Sequence, residues 1–105
     1  MLEKEIEGRL RKSIKALGNG VLCLKLESPG FAGVPDRMIL LPGAKVIFAE
    51  TKKPGKKERA RQRYVQQLFR DLGFEVFSAV DNPGYVDEIT EHCKEVLRDA
   101  GIYTA

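Results

Sequence analysis

Residues 45–80 constrain the fold more than any other part of this chain. They open on an apolar run, KVIFAE (45–50), and break at PGKK (54–57). An apolar stripe at helical spacing follows (Ala60, Tyr64, Val65, Leu68, Phe69, Leu72), closed by Gly73, and FEVFSAV (74–80) then alternates as a strand. Strand, helix and strand in that order require a crossover connection, so the two strands should run parallel and the fold should be of the α/β class.

The flanking segments complete the pattern. Ile6, Leu10, Ile14 and Leu17 repeat at helical spacing over 3–17, before Gly18-Asn19-Gly20 ends the segment. VLCLKL (21–26) is short, apolar and bounded by turn residues, which predicts a strand, and SPGFAGVP (28–35) predicts a loop. RMILL and KVIFAE flank Pro42-Gly43-Ala44 as a hairpin. Asp81-Asn82-Pro83-Gly84 starts a third helix with Val86, Ile89, Cys93, Val96 and Leu97 on its inner side, and 101–105 reads as a loose tail. The order is αβββαβα around a mixed sheet, and 105 residues are expected to form one domain over 1–105.

The hairpin carries charges where burial is expected. Along β-alternation, Val46, Phe48, Glu50 and Lys52 share one face and Ile47, Ala49 and Thr51 the other. Pairing Leu41 with Lys45 across a three-residue loop places Asp36 opposite Glu50. Opposed Cβ atoms lie about 5 Å apart, and two carboxylates there repel unless something positive sits between them. Oxygen ligands of this kind suit Mg²⁺ or Mn²⁺, and Lys52, on the same face, could hold a phosphate oxygen or orient an attacking water. A bare D…E-x-K is short and common, and polar residues at strand mouths account for it more readily than a metal site does. The context adds weight, because a basic helix start follows directly.

That basic stretch, 52–63, holds seven Lys and Arg against the single acid Glu58, in a chain whose net charge is only +3. It would attract phosphates without sequence preference, or form a solvated helix start. Other function classes recede. No apolar run approaches the roughly 20 residues of a membrane span, and MLEKEIEGRL is charged from its third residue, so no signal peptide is visible and a cytoplasmic protein is expected. Cys23 and Cys93, 70 residues apart without a CxxC pairing, fit reduced, buried thiols better than a zinc site. His92 is placed on the solvent side of the third helix.

Pro35-Asp36, thirteen intervening residues and Glu50-Thr51-Lys52 resemble the signature of the PD-(D/E)XK nuclease superfamily. "IEGRL", "CLKLESPGFAGVPDRMILLPG", "VIFAETKKPGKK", and Gln62 eleven residues before Gly73 together resemble, more narrowly, the stand-alone type of the virus-type replication-repair nuclease (VRR-NUC) family. The resemblance implies a restriction-endonuclease-like αβββαβ core with a mixed sheet flanked by helices. It implies that Asp36 and Glu50 bind Mg²⁺ or Mn²⁺ with the Thr51 carbonyl, that Lys52 is the catalytic lysine, that Glu7 approaches the metal from the first helix, and that Gln62 lies beside the site. Glu7 flanks the Leu10 and Ile14 stripe, so it could face the sheet or stay at the edge in solvent. Two positions depart from the family pattern. Thr51 replaces a more usual apolar residue, which should matter little if only its carbonyl is used, and Lys57-Glu58-Arg59-Ala60 replaces a Ser or Thr helix start, leaving Gln66 as the alternative to Gln62.

The implied activity is metal-dependent, structure-selective cleavage of DNA, with stand-alone members resembling four-way-junction resolvases that act as homodimers. Lys53, Lys56, Lys57 and Arg61 would guide the DNA backbone, and Lys25 would either touch a phosphate or guard an edge strand. Flap or nick processing is the alternative substrate, and a DNA-binding module that does not cut is the alternative of another class.

Overall fold

The computed structural model describes residues 1–102, and seven elements follow in chain order: α1 (Glu3–Lys15), β1 (Leu22–Lys25), β2 (Arg37–Leu41), β3 (Lys45–Thr51), α2 (Ala60–Asp71), β4 (Glu75–Val80) and α3 (Pro83–Asp99). The strands lie side by side in the order β1-β2-β3-β4. The first two pairs are antiparallel, and β3 and β4 are parallel as the crossover requires. In the hairpin Leu41 pairs with Lys45 and Arg37 with Ala49, the register expected from the three-residue loop. Gly43 and Ala44 turn the chain with φ of 83° and 60°.

The two faces of the sheet are covered unequally. Ile39 and Leu41 of β2, with Ile47 and Ala49 of β3, pack into one core with Ile6, Leu10 and Ile14 of α1 and Val86, Ile89, Cys93 and Leu97 of α3. On the opposite face Phe48 meets Phe69 of α2 and Phe74 edge-on, at ring-centroid distances of 4.7 and 5.4 Å. That cover stops at β3 and β4. On β1, Leu22 and Leu24 remain 49% and 39% exposed.

Partial cover corrects the expected face of α2. Val65 and Gln66 are buried, whereas Tyr64 and Leu72 of the expected stripe are 56% and 76% exposed. The helix rests on only half the sheet, so its apolar stripe is wider than the surface available to it. Gln66 is turned inward instead and accepts a hydrogen bond from Ser78 of β4. His92 is likewise half-buried rather than a surface residue, with its ring 5.7 Å from that of Phe77 and its Nε2 2.7 Å from a Glu75 carboxylate oxygen.

A bulge in β4 decides how the sheet ends. Ala49 pairs with Phe77 but Thr51 with Val80, one extra residue on β4, and Ala79 at the slip has φ of 50°. Phe77 and Val80 therefore both pack toward the α3 side although strict alternation would separate them. The backbone N–H of Lys52 donates to the Val80 carbonyl at 2.9 Å, which carries the pairing one residue past β3.

Two residues of the expected tail at 101–105 are instead tied to the end of α3. N–H groups of Gly101 and Ile102 donate to the Arg98 and Leu97 carbonyls, closing α3 in a Schellman arrangement with Gly101 at φ 73°. Residues 103–105 lie outside the described residues.

The unequal cover makes a testable contrast. Ile39→Ala should lower the unfolding free energy by about 2–5 kcal/mol, because it opens a cavity between the sheet and α1. Leu22→Ala on the open face should cost roughly 0.5 kcal/mol or less. Urea denaturation of both variants measures the difference.

Candidate active site

The end of the hairpin gathers the charged residues. Asp36 stands one residue before β2, and its N–H donates to Glu50 Oε2 at 3.0 Å. The Asp36 carboxylate accepts two hydrogen bonds from one residue, the Thr51 N–H at 3.0 Å and the Thr51 hydroxyl at 2.5 Å. The Thr51 side chain thus holds the Asp36 carboxylate, a contact beyond the backbone carbonyl role expected of it from the sequence.

Glu50 is buried at the last apolar level of β3. Its Oε1 accepts from Gln62 Nε2 at 3.2 Å and lies 3.6 Å from the Lys52 ammonium. Burial, followed by the nearby charge of Asp36, pushes the Glu50 carboxyl up to about 7, and Lys52 offsets this only in part. Burial also raises Asp36, against the two Thr51 hydrogen bonds that favour its charged form. Two carboxylates at one site with too little positive charge between them suit a divalent cation with oxygen ligands.

Gln62 reaches the site because of how α2 begins. With no Ser or Thr before the helix, Arg59 takes the N-terminal capping position, and its N–H donates to Gln62 Oε1 at 3.0 Å. The same amide caps the helix with its oxygen and holds Glu50 with its nitrogen. Gln66, the alternative, points to Ser78.

Glu7 approaches from α1, and its charge is among the causes raising Asp36. Its carboxylate is held by Arg37 in an ion pair. Among the described residues no three His, Cys, Asp or Glu side chains gather closely enough to ligate one ion. Arg37 went unremarked in the sequence, although alternation alone places it with Ile39 and Leu41 beneath α1.

The lysines divide into groups. Lys52, Lys53, Lys56 and Lys57 line one cleft of about 500 Å³ with Arg59, Leu2 and Glu3. Lys56 and Lys57 also border a second, of about 510 Å³, with Arg63, Gln66, Arg70 and Ser78. Arg61 turns the other way, donating from Nε to the Ala32 carbonyl at 3.0 Å. Lys25 sits at the sheet edge, 3.6 Å from Glu27 and well exposed. Arg70 extends the basic surface beyond the 52–63 stretch, because the fold brings β4 against α2.

No family model matches the chain. A protein of Acyrthosiphon pisum secondary endosymbiont phage 1, described as "Putative nuclease p44", is 38% identical over 74 residues, 70% of this chain and 77% of that protein. A solved structure described as a VRR_NUC domain is similar with a TM-score of 0.76 and 30% identity, covering 86% of this chain and 95% of its own.

Glu50 titrates near 4.5 in its ordinary state and near 7 in the fold. The folded protein therefore binds the extra proton between those values, and its stability falls as pH rises from about 4.5 to about 7. In chelator, Glu50→Gln should raise the melting temperature at pH 8 by roughly 5 °C. The gain should vanish below about pH 4.5, where the parent carboxyl is also neutral. Calorimetry against pH measures it, and a lower melting temperature at pH 8 would mean that the Lys52 pairing outweighs the repulsion.

Proposed function

The chain belongs to the VRR-NUC family, and we propose that it is a metal-dependent, structure-selective DNA endonuclease acting as one domain over 1–105 and resolving four-way junctions as a homodimer. The observation that carries this is the buried Glu50 and half-buried Asp36 with the Lys52 ammonium 3.6 Å from Glu50, beside a cleft lined by lysines. A binding module gains nothing from such carboxylates, because they repel the phosphates it would hold.

Asp36 and Glu50, with the Thr51 carbonyl, would hold Mg²⁺ or Mn²⁺. When bound there, such a cation supplies charge to a phosphodiester oxygen and lowers the pKa of water. Thr51 fixes the Asp36 carboxylate, and Gln62 and the Asp36 N–H keep Glu50 in place. Lys52, with a side chain only 15% exposed, would hold a phosphate oxygen or orient the attacking water. Glu7 is held back by Arg37 and would reach the centre only by giving up that pairing.

Lys53, Lys56, Lys57 and Arg61 would guide the DNA backbone, with Lys25 at the sheet edge as a further contact, making affinity fall steeply with salt. A two-fold dimer presents two cutting sites to a symmetric junction. The open edge at β1, with Leu22 and Leu24 exposed, supports such an association. Among the described residues no helix is long and apolar enough to cross a membrane, and the proposed site of action is the cytoplasm of a bacterial or phage-infected cell.

Labelled four-way junction, flap and plain duplex, each with Mg²⁺, Mn²⁺ or chelator, test the proposal. Paired cuts in the junction are expected, abolished by chelator and by Asp36→Asn, and slowed about 10–100-fold by Gln62→Ala. Cuts confined to the flap would favour the flap or nick alternative. Binding without cleavage under either metal would overturn the catalytic reading.

A further inference from the structure

The loop between β1 and β2 supplies more than Asp36. Phe31 is 42% exposed, and Tyr64, across from it on α2, is more exposed still. Arg61 joins the two rings, with its Cζ 4.7 Å from the Phe31 centroid and 5.5 Å from that of Tyr64. Aromatic and guanidinium groups thus form one continuous surface open to solvent.

That surface is held rigidly. Phe31 N–H closes a turn onto the Ser28 carbonyl at 3.1 Å, and Arg61 Nε ties the helix to Ala32. Gly33, at φ 93°, lies so close to α2 that an added Cβ would stand 3.0 Å from Arg61 Cγ and 3.1 Å from the Arg61 carbonyl. The loop is clamped against α2 at a position only a glycine accommodates.

The surface also adjoins the site. Phe31 precedes Asp36 by five residues, a chain distance of roughly 17 Å at most. Arg61 immediately precedes Gln62, whose amide holds Glu50.

We propose that Phe31, Arg61 and Tyr64 form a stacking platform for an unpaired nucleobase of the DNA beside the cut. Every base offers a π-face to aromatic rings and guanidinium planes, independent of sequence. In continuous duplex both faces of a base are covered by its neighbours, so the platform engages only DNA with an unpaired or splayed base. Selection of branched over plain DNA then originates in this loop. The location rests on the nuclease reading, but the stacking itself needs neither metal nor cleavage.

The chain contains no Trp, so Phe31→Trp introduces a single indole into the platform, whose emission can be excited apart from that of the tyrosines. In chelator, single-stranded oligo-dT should quench its emission, and blunt duplex of equal length should not. Phe31→Ala and Tyr64→Ala should each weaken single-strand binding by about tenfold or more while leaving blunt-duplex binding within about twofold, and Phe31→Tyr should restore it. Melting temperatures measured alongside keep a folding defect apart from a binding defect, and if Phe31→Ala fails to fold, the Phe31→Trp titration decides alone. Equal quenching by both DNAs, or unchanged single-strand affinity in the alanine variants, would overturn the proposal. So would an emission change with protein concentration alone, which would assign the surface to a second copy of the chain. Quenching and selective binding without cleavage of any substrate would leave the platform standing and remove the nuclease reading.

Discussion

Electrostatic repulsion between Asp36 and Glu50 is the constraint around which this end of the molecule is arranged. Glu50 is buried and Asp36 half-buried, and burial together with the charge of Asp36 raises the free energy of the Glu50 carboxylate, so Glu50 titrates near neutrality. Lys52 at 3.6 Å reduces the imbalance without removing it. Such a pair destabilises the empty fold, and its neighbours supply the hydrogen bonds that keep it in register. A centre of this kind trades stability for charge held ready at one place.

The supporting contacts come from backbone features with second roles. The β4 bulge at Ala79 lets Thr51 pair with Val80, and Thr51 then donates both its N–H and its hydroxyl to Asp36. Gln62 completes the first turn of α2 and holds Glu50 with the other end of the same amide. Arg37, buried beneath α1, occupies the carboxylate of Glu7. Each contact joins two elements, so the end of the hairpin, the start of α2 and α1 form one connected site.

The incomplete cover of the sheet is the second organising fact. The α1 and α3 side is a continuous apolar core, whereas α2 protects only β3 and β4. α2 therefore presents Tyr64 and Arg61 toward the β1–β2 loop and its basic side chains toward the clefts, and apolar leucines stay open on β1. DNA contact and self-association would use different parts of that uncovered surface.

The amino-acid sequence alone determined the element order, the parallel pairing of β3 with β4, and the hairpin register that puts Asp36 beside Glu50. These follow from local periodicity, a three-residue turn and the chirality of the chain, all of which are encoded within short windows. The charge pattern of D…E-x-K followed by a basic helix start was legible for the same reason. Tertiary structure alone decided that Gln66 turns inward, that Arg37 takes up Glu7, that the Thr51 hydroxyl serves Asp36, and that Phe31 meets Arg61. Those contacts join residues 12 to 30 positions apart, and periodicity carries no information about which of several faces meets a partner that distant. They depend on the bulge in β4 and on the half-covered sheet, which fix where α2 rests and therefore which side chains come within reach of the carboxylate pair.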